Sequence, residues 1–281
     1  MGALDPKNRH NLGLRVASAL VLFPLAVWIT ILGGLPFALL AAAAGAVAGA
    51  ELILMFSALG AAEVLGIAGA AAIPLVAAFG RSGDLLPGWS GLALAAATVL
   101  LLALALARRG PLEAIPRAVS AVALAWLYCG VLLAAVVGLR LRFGVSWVIL
   151  SFVVTWANDT FAYFAGHTFG RHKMAERISP KKTWEGFAGG AVGSIAGALV
   201  TRWLFADLGA DLSLPMAVLL GAGGAVLGPL GDLAESALKR AAGVKDSGKI
   251  IPGHGGLLDR IDALLFVSPW VYVFANLLVT R

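Results

Sequence analysis

Between Asp232 and Asp262 an otherwise apolar chain gathers acids, cations and glycines at spacings suited to phosphate chemistry. Asp232, Glu235, Ser236 and Lys239 follow one another at i, i+3, i+4 and i+7, which makes one polar stripe on a helix. Asp259 and Asp262 repeat the i, i+3 spacing at the start of the last apolar segment. Two helices thus each bring two acids to one end of the molecule. Carboxylate oxygens suit Mg²⁺, which binds through one or two of them and leaves its other positions to water and substrate phosphate. The competing explanation is structural: the acids are neutralised as ion pairs by Lys239, Arg240 and Arg260. No set of His and Cys residues has the spacing of a zinc site.

The run from Gly248 to Gly256 (GKIIPGHGG) is a short loop entering a helix. Glycines allow close backbone approach, and a helix N-terminus offers N–H groups to an anion. The run is neither a Walker A loop nor a dinucleotide fingerprint. Alone it says little. With Lys245, Lys249, His254 and the neighbouring acids it suggests a polyphosphate held between metal and cations. Upstream, SPKKTWEG adds Ser179, Lys181, Lys182 and Thr183. There the plain alternative is a helix start at Thr183 with lysines that only set membrane orientation. His167 and His172 read as loop residues, since neither has a partner at metal-binding spacing.

These groups must be positioned by apolar helices. The chain has 281 residues, of which 60% are hydrophobic and 13% charged, against about 25% charged in soluble domains. It reads as an all-α, polytopic integral membrane bundle. Nine spans are expected, at about Arg15–Leu32, to Phe56, Ala62–Phe79, to Arg108, Ala118–Leu139, Val145–Ala165, Phe187–Phe205, Leu214 to Asp232 and Leu257–Val279. The polar N-terminus and the lack of a small-residue cleavage pattern make the first segment a retained span, not a removed signal. Placing the N-terminus in the cytoplasm puts 16 of the 21 Lys and Arg residues in or beside inside segments. The stretches Arg171–Lys182 and Ser236–Asp262 then share the cytoplasmic face. Residues 1–144 read as scaffold, and 145–281 as the catalytic helices and loops of the same single domain. Glu51 reads as an exposed boundary residue. The lone Cys129 excludes an intrachain disulfide, and the net charge of +6 points to anionic lipid headgroups, with no nucleic acid partner.

The stretch SALKRAAGVKDSGKIIPGHGGLLDRID (Ser236–Asp262) resembles the signature of the phosphatidate cytidylyltransferase (CDP-diacylglycerol synthase) family at every defined position. The upstream stretches NDTFAYFAG and RISPKKTWEGFAGG are similar to that family in order and spacing. The resemblance implies transfer of the cytidylyl group of CTP to phosphatidic acid, releasing pyrophosphate, with divalent metal. It implies a paired Mg²⁺ site on Asp232 and Asp259. Lys239, Arg240, Lys245, Asp246, His254 and Asp262 become candidate catalytic groups. Asp159, Ser179, Lys181, Lys182, Ser236, Lys249, Gly255, Gly256 and Arg260 become candidate substrate contacts. A homodimer, and lipid tails that stay in the bilayer, belong to the same expectation. The rival readings are a CTP-dependent polyprenol- or phytol-type lipid kinase and a secondary transporter. A CDP-alcohol phosphotransferase lacks its D-G-x-x-A-R motif here, and a transporter should carry polar groups near the bilayer midplane.

Overall fold

The computed structural model describes residues 20, 23–79, 90–108, 111–251 and 255–279. The expected N-terminal start of the first span, the cytoplasmic N-terminus and His254 lie outside them. Along the chain come α1 (Phe23–Leu32), α2 (Gly34–Phe56), α3 (Ala61–Ala77), α4 (Ser90–Leu106), α5 (Ala114–Leu124) and α6 (Leu132–Gly138). Then follow α7 (Val145–Phe169), β1 (Lys173–Ala175), β2 (Ser179–Thr183), α8 (Trp184–Leu204), the short α9 (Ala206–Asp211), α10 (Leu214–Ala241) and α11 (Leu258–Val279). Two π-helical stretches, Ala125–Val131 and Leu139–Phe143, join α5 and α6 into one rod, Ala114–Phe143. Among the described residues six helices are long and apolar enough to cross a membrane: α2, the rod, α7, α8, α10 and α11. Shorter apolar helices run Phe23–Leu32, Ala61–Ala77 and Gly91–Leu106. The protein is an all-α, multi-pass membrane protein. The Arg171–Lys182 stretch, expected as a loop, instead contains the antiparallel hairpin β1–β2, with Lys173 opposite Thr183.

Polar contacts between chain-distant helix ends show which ends lie together. Arg140, late in the rod, donates to the last carbonyls of α1, to Thr30 at 2.6 Å and Ile31 at 2.7 Å. Arg142 reaches Tyr272 on the second half of α11 at 2.6 Å. At the other end, Arg108 after α4 pairs with Glu63 at the start of α3. Glu51, near the end of α2, meets the first backbone N–H groups of α11. That end also carries the β1–β2 hairpin and the loop from α10 to α11, so both charged stretches share one face.

In lipid no hydrophobic gain draws helix to helix, so close packing rests on small residues and on polar contacts between helices. A Cβ on Gly193 of α8 would come 2.5 Å from the Ala157 carbonyl of α7, and one on Gly231 of α10 would come 2.5 Å from the Asp262 carbonyl of α11. Glycine at these two places lets the backbones touch. Pro229 inside α10 lacks the N–H that would bond the Ala225 carbonyl. Asn158 of α7 turns its Nδ2 to that carbonyl at 3.5 Å, supplying a donor from a neighbouring helix. At the start of α8, Thr183 Oγ1 accepts from the Gly186 N–H at 3.1 Å, the helix start that its sequence pattern predicts.

Candidate active site

The close approach at Gly231 sets Asp262 beside the polar stripe of α10. Asp232, Glu235 and Asp262 each offer a carboxylate oxygen within 4.8 Å of the others. Glu235 is fully buried and Asp262 nearly so. Three carboxylates this close repel one another unless cations lie among them. Two lysines lie there: Lys182 reaches Asp232 at 2.7 Å, and Lys239 pairs with Glu235 on the same helix. Ser236 Oγ donates to Asp232 Oδ1 at 3.2 Å. Glu235 Oε2 is the oxygen paired with Lys239, and Glu235 Oε1 meets no hydrogen-bond donor among the described residues. An all-oxygen donor set with uncommitted lone pairs and excess negative charge fits a hard divalent cation. From the rod, the buried Tyr128 packs edge-on against Phe266, one turn beyond Asp262, at 5.9 Å between ring centroids. Its hydroxyl has no partner among the described residues.

Asp232 also lines a cavity of about 660 Å³ between α7, the hairpin, α8 and α10. Asp159 and His167 of α7, Lys173, Ser179, Lys181 and Lys182 of the hairpin line it too. Its volume falls in the range of about 300–1,000 Å³ that small-ligand sites occupy. His167 belongs to the last turn of α7, not to a loop, and its ring stacks on Tyr163. Lys182 stands between cavity and acids, donating to the Pro229 carbonyl at 3.3 Å as well as pairing with Asp232. His172 faces away from this set, paired with Glu185 at 2.5 Å.

Asp259 stands outside the acid group. Its Oδ1 accepts from Lys239 Nζ at 2.5 Å, and its Oδ2 faces the Ser247 N–H at 3.0 Å, the Ser247 hydroxyl at 3.0 Å and the Gly256 N–H at 2.9 Å. The acid nearest Asp232 on α11 is Asp262, because the helices touch at Gly231, while Asp259 sits one turn nearer the loop. Helix α11 does not offer its N-terminal N–H groups to a phosphate either. The Leu257 N–H bonds Glu51 Oε1 at 3.0 Å and the Leu258 N–H bonds Glu51 Oε2 at 2.8 Å. Glu51 is buried, at 8% exposure, so the exposed boundary residue expected from the sequence is corrected.

The remaining candidates scatter along the surface. Arg240, Lys245, Asp246, Lys249 and Arg260 are exposed, and Arg240 caps its own helix end through the Val244 carbonyl at 3.2 Å. Gly255 places its backbone beside Asp246 and Asp259, and it has φ +87°, where glycine is at ease. Gly256 admits no Cβ, which would fall 2.0 Å from Ser247 Oγ. Glu235, read from the sequence as part of the polar stripe, was not placed among the metal candidates, and Glu51 was read only as a boundary residue, with no signal beyond being a carboxylate in an apolar helix.

A cavity walled on one side by lysines, with Asp232 joining it to a buried acid cluster, lies at one end of a bundle of apolar helices, an arrangement of a multi-pass membrane protein with a polar site at the end of its helices. Residues 13–278 match the cytidylyltransferase family, and the chain belongs to it. It is 49% identical over 133 residues to the phosphatidate cytidylyltransferase of Bacillus subtilis (strain 168), covering 47% of this chain and 48% of that protein. The protein of the same name from Brucella abortus (strain 2308) is 43% identical over 132 residues, 47% of each chain. That from Thermotoga maritima is 40% identical over 168 residues, 58% of this chain and 61% of the relative. The chain spans about half the length of the curated relatives it matches.

Proposed function

We propose that the protein transfers the cytidylyl group of CTP to phosphatidic acid, giving CDP-diacylglycerol and pyrophosphate. The observation that carries this is the Asp232–Glu235–Asp262 cluster at the wall of the lysine-lined cavity. An oxygen of the lipid phosphate attacks the α-phosphorus of CTP. The bond from that phosphorus to the bridging oxygen of the β-phosphate breaks, and pyrophosphate leaves with the electron pair. A phosphomonoester has its second pKa near about 6, so the nucleophile is already anionic at neutral pH and needs no strong base. The obstacle is repulsion between two anions, which positioned cations remove.

Asp232, Glu235 and Asp262 are the residues to hold Mg²⁺, which would supply charge neutralisation and alignment of the triphosphate with the attacking phosphate. Lys181 and Lys182 face the cavity where the triphosphate enters. Lys182 needs only to turn from Asp232 to meet a phosphate oxygen. Lys239 holds Glu235 and Asp259 in register between the acids and the loop. Asp159 and Ser179 line the nucleotide side, and the acyl chains stay in the bilayer beside α7 and α8. Lys245, Asp246, Lys249, His254 and Arg260 belong to the same reading as contacts to incoming CTP, with Arg240 supporting the end of α10. Nine spans, a cytoplasm-facing site and a homodimer complete it. Purified protein in detergent with Mg²⁺, CTP and phosphatidic acid is expected to release pyrophosphate and form a CDP-lipid. Formation of CDP and a lipid monophosphate when a polyprenol or phytol alcohol replaces phosphatidic acid would show a kinase instead, and a folded sample that binds CTP and phosphatidic acid without reacting would sink the assignment.

A further inference from the structure

Glu51 belongs to α2, far in sequence from the charged stretch, yet it touches that stretch at three points. Its two oxygens take the Leu257 and Leu258 N–H groups, and Oε2 lies 3.2 Å from Ser247 Oγ. Two glycines make room for it: a Cβ on Gly248 would fall 2.4 Å from Glu51 Oε1, and one on Gly256 would fall 2.8 Å from Oε2. A carboxylate at a helix N-terminus is favoured by the unpaired N–H groups and the helix dipole. The contact also continues beyond the loop. Ser247 has one hydroxyl proton to share between Glu51 and Asp259, Asp259 holds Lys239, and Lys239 holds Glu235. An unbroken line of charged and polar contacts thus runs from α2 to the acid cluster.

We propose that Glu51 is a positioning residue for the reaction, fixing Ser247 against the start of α11 and, through Ser247, Asp259 and Lys239, the placement of Glu235. This rests on the cytidylyltransferase reading for its kinetic arm only. Glu51 does not line the cavity walled by Lys181 and Lys182. Its work is to keep a glycine-rich loop from sampling arrangements in which Asp259 no longer aims Lys239. A plain structural role would lower stability and leave the kinetic constants of each folded molecule unchanged. A positioning role moves the constants for the nucleotide and leaves those for the lipid tails alone.

The test uses the full chain in detergent, with Glu51→Gln and Glu51→Ala compared with the unaltered protein. Glu51→Gln keeps the shape and leaves one of the two backbone N–H groups facing an amide NH₂, so it folds even where Glu51→Ala does not. Three readouts are taken: amide exchange across residues 244–258, affinity for Mg²⁺–CTP by calorimetry, and kcat and KM for each substrate. The expected result is faster exchange confined to that segment, with Mg²⁺–CTP affinity weakened about tenfold, the size of one lost bond to a charged acceptor. KM for CTP rises in step, and KM for phosphatidic acid holds within about twofold. Unchanged exchange, or loosened exchange with unchanged nucleotide affinity, overturns the proposal. Should the unaltered protein form no CDP-lipid, the transfer reading fails, while exchange and Mg²⁺–CTP affinity still decide the role of Glu51.

Discussion

Glu235 and Asp259 look alike on paper: each is an acid beside Lys239 in the same charged stretch. Their surroundings separate them. Glu235 has one oxygen paired with Lys239 and the other without a hydrogen-bond donor inside a three-acid group, whereas Asp259 has both oxygens engaged by Lys239 and the loop. Glu235→Gln is therefore expected to raise the Mg²⁺ concentration for half-maximal activity by about 10–100-fold, the usual effect of disturbing a metal site. Activity at a series of Mg²⁺ concentrations reads this directly. Asp259→Asn should instead destabilise, because Lys239 loses one of its two carboxylate partners in a mostly buried group. Breaking such pairs costs about 3–5 kcal/mol, seen as a lower Tm in detergent. If excess Mg²⁺ restores Asp259→Asn to full activity, Asp259 returns to the metal set. The sequence showed the acids and their i, i+3 spacing; it could not show which acid on α11 meets α10. That depends on where two backbones touch, and the decisive residue, Gly231, carries no chemistry of its own.

The same contact makes α10 and α11 act as a unit. Gly231→Ala would push its methyl against the Asp262 carbonyl, 2.5 Å from the ideal Cβ position. Overpacking of this kind costs about 1–3 kcal/mol, and here it also parts Asp262 from Asp232. A lower Tm together with a raised Mg²⁺ requirement is expected; a lower Tm alone would detach the helix contact from the metal site. The hairpin is held more lightly, by Thr183 capping α8. Thr183→Ala should cost about 1 kcal/mol and weaken CTP binding through the adjacent Lys181 and Lys182, measurable by calorimetry. Helices were easy to read in this chain because apolar length decides them. The hairpin was not, since β2 is only Ser179–Thr183, contains Pro180 and is mostly polar.

As one molecule, the protein brings every loop with candidate chemistry to a single face. Cys129 is fully buried, so a cysteine introduced elsewhere reports alone to an aqueous thiol reagent. Lys249→Cys is expected to react from the cytoplasmic side, and Asp211→Cys, on short helix α9 at the other end, from the opposite side. Labelling of both from one side would break the topology. α2, in the half that reads from composition as scaffold, sends Glu51 to the loop between α10 and α11. Composition marks where charges are, not which distant carboxylate they answer to.

Glu51 and its partners Leu257 and Leu258 are separated by 206 and 207 positions along the chain. Synthesis proceeds at roughly 5–20 residues per second, so the carboxylate is made about 10–40 s before the amides that will receive it. Through that interval α2 holds an acid whose native partners have not yet been made, and α11 is the helix whose start supplies them. The loop between α10 and α11 can take its shape only after α11 has been synthesised.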